Sequence, residues 1–234
     1  MTIVIKISSH STLFKNIFRL RYMSVKMILL GPPGAGKGTQ AEALSSALSI
    51  PAISTGDILR DAVKRETPIG LKAKSFMDAG GLVPDEVIIG IIIDRLSMQD
   101  CKGGYILDGV PRTIVQAEAL DAQGIEIGIV LSIEISDDEI IERLSGRRTC
   151  PNCNATYHIA ANPPEKDGVC DKCNAALTIR KDDERETIRN RLQVYHKETG
   201  PLKEYYKSQG KLKTVNNVPG VAEMTSAIFK ALGI

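Results

Sequence analysis

Short apolar runs alternate along the chain with stretches in which apolar residues recur at helical spacing. The runs predict buried strands over residues 26–30, 105–108, 127–135 and 211–215. The stretches between them predict helices over residues 39–47, 70–79, 87–96, 113–122, 137–144 and 183–200, with one more ending at Val63. A terminal helix has Val221, Met224, Ile228 and Leu232 on one face. Strands that alternate with helices predict an α/β fold whose parallel sheet is flanked by helices.

Polar residues mark two of the predicted helix starts. Residues 53–57 predict a turn in which Ser54 or Thr55 caps the helix that ends at Val63. Ser136 is the expected cap of the helix at 137–144.

Residues 146–181 depart from this pattern. They contain four cysteines and two adjacent prolines, with little helical periodicity. We interpret them as a small module inserted into the α/β domain.

The N-terminal stretch also stands apart. No Asp or Glu precedes Glu42, whereas basic residues occur at Lys6, Lys15, Arg19 and Arg21. We favour an extension over residues 1–22 that is not part of the fold, which would then begin at Met23. The alternative is an organelle import segment, and a secretory signal is disfavoured because there is no sustained apolar segment.

Composition limits the classes of function. The chain has 234 residues and a net charge of +2, with 43% hydrophobic residues, so one α/β domain with insertions or two small domains are expected. The weak net charge gives no reason to expect binding to nucleic acid or membranes. No apolar run approaches the roughly 20 residues that span a bilayer.

The most specific motif is Gly-Pro-Pro-Gly-Ala-Gly-Lys-Gly-Thr at residues 31–39, between a predicted strand and a predicted helix. Its glycines allow backbone N–H groups to surround phosphates, the helix N-terminus favours anions, and Lys37 can reach the β- and γ-phosphates. A glycine-rich turn without a ligand is the alternative. Gly38 follows the lysine, so the hydroxyl that ordinarily holds Mg²⁺ comes one residue later, at Thr39, unlike in GTPases and motors.

An acid and several arginines complete the predicted phosphate chemistry. Asp108 ends a predicted strand, where a carboxylate can orient Mg²⁺ or its waters, or simply make a turn. Guanidinium groups match the equatorial oxygens of a transferring phosphoryl group. The candidates are Arg60, Arg112, Arg143, Arg147, Arg148, Arg180 and Arg191.

The inserted module contains two Cys-x-x-Cys pairs, Cys150 with Cys153 and Cys170 with Cys173. Two such pairs can surround one Zn²⁺ with four thiolates, a closed site that leaves no position for substrate and is therefore structural. Two disulfides and free thiols are the alternatives. Cys101 lies outside the pairs and is interpreted as a bystander.

Five motifs follow one another in a fixed order. They are the loop at 31–39, Ser-Thr-Gly-Asp at 54–57, Leu-Asp-Gly-x-Pro-Arg at 107–112, Gly-Arg-Arg at 146–148 and Arg-Lys-Asp-Asp at 180–183. From about residue 23 to the end, the chain resembles the adenylate kinases with a long lid. The resemblance implies a P-loop nucleoside monophosphate kinase fold, with a core at 23–52, 83–145 and 182–234, an AMP-binding segment at 53–82 and a lid at 146–181.

The resemblance also implies site residues. Those that correspond to ATP contacts are Gly34, Ala35, Gly36, Lys37, Gly38, Thr39, Arg143, Arg147, Thr156, Tyr157 and Pro219. Those that correspond to AMP contacts are Thr55, Arg60, Gly81, Leu82, Val83, Gly109, Val110, Pro111, Arg112, Gln116, Arg180 and Arg191. The residues expected to act in catalysis are Lys37, Arg112, Arg147, Arg180 and Arg191.

Two positions differ from the family pattern. Val110 replaces an aromatic residue in the Gly-aromatic-Pro-Arg turn, and Asn217 stands where glycine is common, in the loop expected near the adenine. The first change loosens packing without removing Arg112.

The implied reaction is reversible transfer of the ATP γ-phosphate to AMP, which gives two ADP and needs Mg²⁺. A GTP-using or pyrimidine-accepting kinase is the alternative, and so is a nucleotide-gated nucleic-acid binder, disfavoured because 146–181 has Tyr157 as its one aromatic residue. We expect a cytoplasmic monomer. Asp182 and Asp183 either pair with lid arginines or form a solvated turn, and His158 either lies near the adenine or packs elsewhere.

Overall fold

The computed structural model describes residues 24–234, so the predicted extension at 1–22 and Met23 lie outside the described residues. The strands are β1 (Val25–Leu30), β2 (Ala52–Ser54), β3 (Gly104–Asp108), β4 (Ile129–Glu134), β5 (Arg147–Thr149), β6 (Thr156–His158) and β7 (Leu212–Asn216). The α-helices are α1 (Lys37–Leu48), α2 (Thr55–Lys64), α3 (Pro68–Asp78), α4 (Asp85–Leu96), α5 (Ile114–Ala122), α6 (Asp137–Ser145), α7 (Arg185–Val194), α8 (Leu202–Ser208) and α9 (Val221–Leu232). Within residues 24–234, no helix has the length and apolar character needed to cross a membrane.

Five parallel strands form the central sheet in the order β2-β3-β1-β4-β7, which confirms the predicted fold class. Strand β1 is in the middle, with Leu29 beside Asp108 of β3 and beside Leu131 of β4. The loop after β1 therefore leaves the sheet at its centre, next to the carboxyl end of β3. In parallel α/β sheets this edge is where ligands bind.

Alternate residues of β1 enter two separate hydrophobic cores. Ile28 and Leu30 pack on one face of the sheet, and Met27 and Leu29 pack on the other. A strand that is buried on both faces must be apolar throughout, which explains the uninterrupted run in the sequence. Helices α1 and α9 cover one face, with Leu44 and Ile228 fully buried there.

The prediction of a plain turn at 53–57 was wrong. Residues Ala52–Ser54 form β2, which pairs with β3 so that Ser54 lies beside Asp108. Ser54 then caps α2, because its hydroxyl accepts a hydrogen bond from the Asp57 backbone N–H at 3.2 Å. Ser136 is confirmed as the cap of α6, where it forms a capping box with Glu139.

The single helix predicted over residues 183–200 was also wrong. Residues Lys181–Asp183 form a 3-10 turn, α7 follows, and Tyr195–Thr199 widen into a π-helical turn. The side chain of Asp183 is buried in ion pairs with arginines, so α7 begins only after it. Helix α8 was not predicted, although Leu202 and Tyr206 are buried at a spacing of four.

The module at 146–181 is built from short antiparallel pairings. Strands β5 and β6 form a hairpin with Arg148 opposite Tyr157, and a further bridge joins Thr149 to Thr178. Its interior contains Cys150, Ala155, Tyr157 and Cys170. Because two of these four residues are candidate metal ligands, the module has little apolar core of its own.

Candidate functional site

A cavity of about 860 Å³ lies over the carboxyl edge of the sheet, between the loop after β1, helices α2 and α3, and the module at 146–181. Nearly all of the residues expected to contact nucleotides line it. They are Gly34, Ala35, Gly36, Lys37, Gly38, Thr39, Thr55, Arg60, Gly81, Leu82, Val83, Gly109, Pro111, Arg112, Gln116, Arg143, Arg147, Thr156, Tyr157, Arg180 and Arg191. Val110 and Pro219 are not among the lining residues, although Val218 and Gly220 beside Pro219 are.

The loop after β1 has the backbone of a phosphate cradle. Gly34 and Gly36 adopt φ angles of 82° and 90°, where side chains other than glycine are strained. A Cβ atom at Gly34 would also lie 2.9 Å from the side chain of Leu144. Gly36 occupies the N-cap position of α1 but has no side chain to bond the free N–H groups of the first turn. These N–H groups are therefore available to an anion in the cavity that Gly36 lines.

Lys37 folds back over this loop. Its Nζ donates hydrogen bonds to the carbonyl oxygens of Gly31 at 2.8 Å and Pro32 at 2.9 Å. Burial lowers the pKa of Lys37 to about 8, although the Asp108 carboxylate opposes the shift. Burying the charged ammonium in the cavity therefore costs desolvation free energy, which an anionic ligand would offset.

Asp108 stands at the end of β3, directly beside the cradle. Within residues 24–234 its carboxylate accepts no side-chain or backbone hydrogen bond, and one oxygen lies 3.7 Å from a Cβ placed on Gly38. Burial raises its pKa, and Lys37 and Arg112 act in the opposite direction. A carboxylate without a hydrogen-bond partner among residues 24–234, on the same cavity as the exposed Thr39, suits Mg²⁺, which is bound through few protein oxygens and its own waters.

Arg112 is held through its backbone on both sides. Its N–H donates to Gln116 Oε1 at 2.7 Å, and its carbonyl accepts from Thr199 Oγ1 at 2.8 Å. Its Nε donates to the Gly109 carbonyl at 2.9 Å, which leaves the terminal nitrogens for a ligand. Gly109 has φ 84°, and a Cβ there would lie 2.7 Å from Thr55 Oγ1, so this close approach requires glycine.

Two further arginines have buried nitrogens without a partner. Among residues 24–234, the Nε atoms of Arg60 and Arg180 find no hydrogen-bond partner, although Arg60 Nη2 pairs with Asp57 at 2.6 Å. Burial, with repulsion from Arg60 and Arg147, lowers the pKa of Arg180 to about 9. The side chain remains charged at neutral pH. Buried donors of this kind indicate a strong anionic acceptor in the functional state.

Asp183 pairs with Arg147 of the module at 146–181, as one alternative expected, whereas Asp182 pairs with Arg191 of α7, outside that module, so neither forms a solvated acidic turn. Asp183 accepts two bonds from Arg147, to Nε at 2.7 Å and Nη2 at 2.5 Å. Arg191 Nη1 lies 2.9 Å from Asp182 and 3.1 Å from Asp183. These contacts leave Nη1 of Arg147 and Nη2 of Arg191 for a ligand in the cavity.

The four paired cysteines come together as expected for a metal. Their sulfur atoms lie within 4.8 Å of one another, with Cys150–Cys173 at 3.4 Å, Cys153–Cys170 at 3.5 Å and Cys153–Cys173 at 3.6 Å. A disulfide needs about 2.05 Å, so that alternative is excluded. Four thiolates around Zn²⁺ at about 2.3 Å would be roughly 3.8 Å apart, so the cluster fits tetrahedral zinc.

The module at 146–181 also contacts the segment at 53–82 across the cavity. Lys64 Nζ donates to the Pro151 carbonyl at 3.1 Å, and Lys181 Nζ lies 3.8 Å from Asp78. Both contacts are exposed and therefore weak. They show that the two segments meet over the cavity in this conformation.

Comparison with known proteins shows the family. The adenylate kinase family model matches residues 29–211. The chain belongs to the adenylate kinase family. A relative from Caldicellulosiruptor bescii is 56% identical over 214 residues, which are 90% of this chain and 100% of the relative. A second, from Carboxydothermus hydrogenoformans, is 51% identical over 212 residues, 89% of this chain and 99% of the relative, and both are described as adenylate kinase.

Both departures from the adenylate kinase pattern have a structural account. Val110 is 1% exposed and packs in the core formed by one face of the sheet, not in the cavity. Asn217 lines the cavity, where its Oδ1 accepts from Arg143 at 2.8 Å and its Nδ2 donates to Glu139 at 3.2 Å. The asparagine thus anchors an arginine that is an expected ATP contact.

Two residues of the module at 146–181, Tyr157 and His158, line the cavity. The Tyr157 hydroxyl lies 3.5 Å from Cys170 Sγ of the four-cysteine cluster and accepts a hydrogen bond from the Asp171 N–H at 2.9 Å. The Nδ1 of His158 accepts two backbone hydrogen bonds, from Ala160 and Ala161, while its buried Nε2 has no partner in the described part of the chain.

Two residues that support the candidate site were not identified from the sequence. Thr199 and Asp57 line the cavity and hold Arg112 and Arg60. Asp57 ends the Ser-Thr-Gly-Asp motif at 54–57, and its spacing of three residues from Arg60 on a helix could have predicted their ion pair. The sequence around Thr199 does not indicate its role, because its partner Arg112 lies 87 residues away along the chain.

Proposed function

We propose that the arginines around this one cavity serve two nucleotides, a donor on the loop after β1 and an acceptor near Thr55 and Arg112. As an adenylate kinase, the protein catalyses reversible transfer of the ATP γ-phosphoryl group to AMP, giving two ADP. The residue assignments rest on one observation. Lys37 and six arginines line the same cavity, and several of these arginines have nitrogens without a hydrogen-bond partner among residues 24–234. One triphosphate alone would not need so many cations.

The chemistry requires positioning and charge neutralisation more than acid–base catalysis. An AMP phosphate oxygen, already ionised, attacks the γ-phosphorus in line. The new P–O bond forms as the bond to the β-phosphate oxygen breaks. Arg60 and Arg112 orient the acceptor, and Lys37 holds the β- and γ-phosphates. Arg147, Arg180 and Arg191 stabilise the charge on the transferring group.

Magnesium, when bound with ATP, neutralises the β- and γ-phosphate oxygens, and Thr39 and Asp108 are the residues that would hold it or its waters. We assign residues 53–82 as the AMP-binding segment and 146–181 as the lid, because both line the cavity and meet above it through Lys64. A closed lid excludes water, which would compete with AMP as the acceptor. The remaining assigned contacts, including the backbone near Pro219, follow the family pattern.

A parallel assay tests this assignment. With ATP as donor, AMP, GMP, CMP and UMP are offered separately, and nucleoside diphosphate formation is measured by a coupled reaction. We expect AMP to be preferred by orders of magnitude in kcat/KM. Preference for a pyrimidine acceptor, or for GTP over ATP with AMP held constant, would support the alternative kinase.

We further propose a monomer that works in the cytoplasm without nucleic acid or membrane. Four paired thiols suit a reducing compartment, and one chain supplies all residues assigned to the cavity. Filter binding at physiological salt and sedimentation measure these properties directly.

Lys37 gives a pH-dependent prediction. Because its pKa is lowered to about 8, the free protein has lost roughly half of this proton at pH 8. Phosphates beside the amine favour the charged form, so ATP binding should take up about half a proton at pH 8 and almost none at pH 6. Calorimetry in two buffers with different ionisation enthalpies measures this uptake.

The Lys37→Arg variant is the control, since a guanidinium keeps its charge throughout this range. It should bind ATP without the extra proton, which separates the lysine from the titration of ATP itself. Equal uptake in both proteins would contradict the role of Lys37.

A further inference from the structure

Gln116 has an orientation that is fixed by two neighbours. Its side chain is 1% exposed yet borders the cavity. Its Oε1 accepts from the Arg112 backbone N–H at 2.7 Å, and its Nε2 donates to Asp85 Oδ1 at 2.7 Å. A backbone N–H can only donate and a carboxylate can only accept, so a flipped amide would lose both bonds.

The Asp85 carboxylate is itself held in place. Its second oxygen accepts from Thr113 Oγ1 at 3.1 Å, and the same hydroxyl accepts from the Gln116 backbone N–H at 3.1 Å. Asp85 begins α4, where the helix N-terminus favours a negative charge. It does not line the main cavity, so within residues 24–234 it reaches that space only through Gln116.

Gln116 borders the cavity with part of its hydrogen-bonding capacity unused. After these two bonds Gln116 keeps one N–H donor and one oxygen lone pair. Adenine presents an amino donor next to a ring nitrogen acceptor, which suits such an amide. A 6-oxopurine presents a carbonyl acceptor at the position of the amino group and a protonated N1 beside it, so its pattern is reversed.

We propose that Asp85 is a positioning residue that fixes the polarity of the Gln116 amide and thereby selects adenine over 6-oxopurines in the acceptor site. The inference rests on the proposed assignment of Gln116 to AMP. It adds to that assignment a residue outside the cavity that sets base selectivity.

Steady-state kinetics with ATP, and with AMP or IMP as acceptor, test the proposal. IMP differs from AMP only in its 6-oxo base. For Asp85→Ala we expect the KM for AMP to rise about tenfold with kcat changed little, and the ratio of kcat/KM for AMP over IMP to fall about tenfold, because one hydrogen bond is lost. Asp85→Asn should keep most of the wild-type ratio, since its amide oxygen can still accept from Gln116.

Glu86→Ala is the matched control, because it removes the neighbouring acid from the same first turn of α4. It should leave the ratio unchanged. A merely structural role for Asp85 would lower the melting temperature and kcat but preserve the ratio, and that result overturns the proposal.

The Gln116→Ala variant distinguishes a wrong role for Asp85 from a wrong assignment of the AMP site. If it lowers the ratio and Asp85→Ala does not, the role of Asp85 is wrong while the AMP site stands. If the double variant Asp85→Ala, Gln116→Ala is no worse than Gln116→Ala alone, the two residues act as one unit, as proposed. A wild-type protein that does not phosphorylate AMP would refute the proposed function itself.

Discussion

Replacing Arg112 with alanine is expected to lower kcat by about a thousandfold or more, because Arg112 orients the attacking AMP phosphate, and correct orientation of two reactants can supply about 7–11 kcal/mol of the barrier. The side chain enters the cavity with its terminal nitrogens free of protein partners. Its positive charge is already costly, since burial lowers the pKa of Arg112. The protein therefore maintains a desolvated cation there, and a phosphate is the ligand that matches it. Rapid-quench measurement of the first turnover reports the loss without interference from product release.

The structure of the turn should survive this substitution. The bonds from Gln116 and Thr199 go to the Arg112 backbone, and only the Nε contact with Gly109 is lost. Arg112→Lys should also be severely impaired, because an ammonium cannot form the two-pronged contact of a guanidinium. Arg65→Ala is the control, since Arg65 forms an exposed pair with Asp61. An Arg112→Ala protein with near-normal turnover would remove Arg112 from the mechanism.

Local patterns in the sequence were sufficient for the features that depend on nearby residues. The strand–loop–helix at the phosphate cradle could be predicted because its glycines, its lysine and the flanking periodicity lie within about 20 residues. The metal site could be predicted because Cys-x-x-Cys spacing places two sulfur atoms on one turn. The arginines were located because they follow recognisable motifs at strand ends.

Features decided by distant partners could not be predicted in the same way. Strand β2 is three residues long, and only its pairing with β3 makes it a strand. Asp183 is buried because Arg147, 36 residues away, neutralises it. Cys101, interpreted as a bystander from the sequence, is 4% exposed and lies beside Arg95, outside the candidate site. Each case is a tertiary contact that overrides the local preference of the chain.

Removing zinc from the lid is expected to cause the largest loss of stability. The interior of the module that we assign as the lid is Cys150, Ala155, Tyr157 and Cys170, so half of these buried residues are candidate metal ligands. Structural zinc binding contributes roughly 10–16 kcal/mol in small zinc-binding peptides, which is comparable with the entire net stability of many domains. A chelator, or Cys170→Ser, should unfold the lid and lower the melting temperature by ten degrees or more. Calorimetry and metal analysis, with one zinc per chain expected, measure both effects.

Removing zinc should affect turnover at low temperature differently from the way it affects thermal stability. The four cysteines do not line the cavity, but Thr156, Asp171 and Lys172 between them do. Zinc held by the four thiolates would therefore fix the positions of these residues without contacting the substrate, because a closed four-thiolate site has no vacant coordination position for it. We expect the KM for ATP to rise after chelation, with a smaller change in kcat measured well below the melting transition. Cys101→Ala should retain the zinc, because its thiol lies outside the cluster. A metal-free protein with the full melting temperature would show that the lid folds on its own, and the four cysteines would then need another explanation.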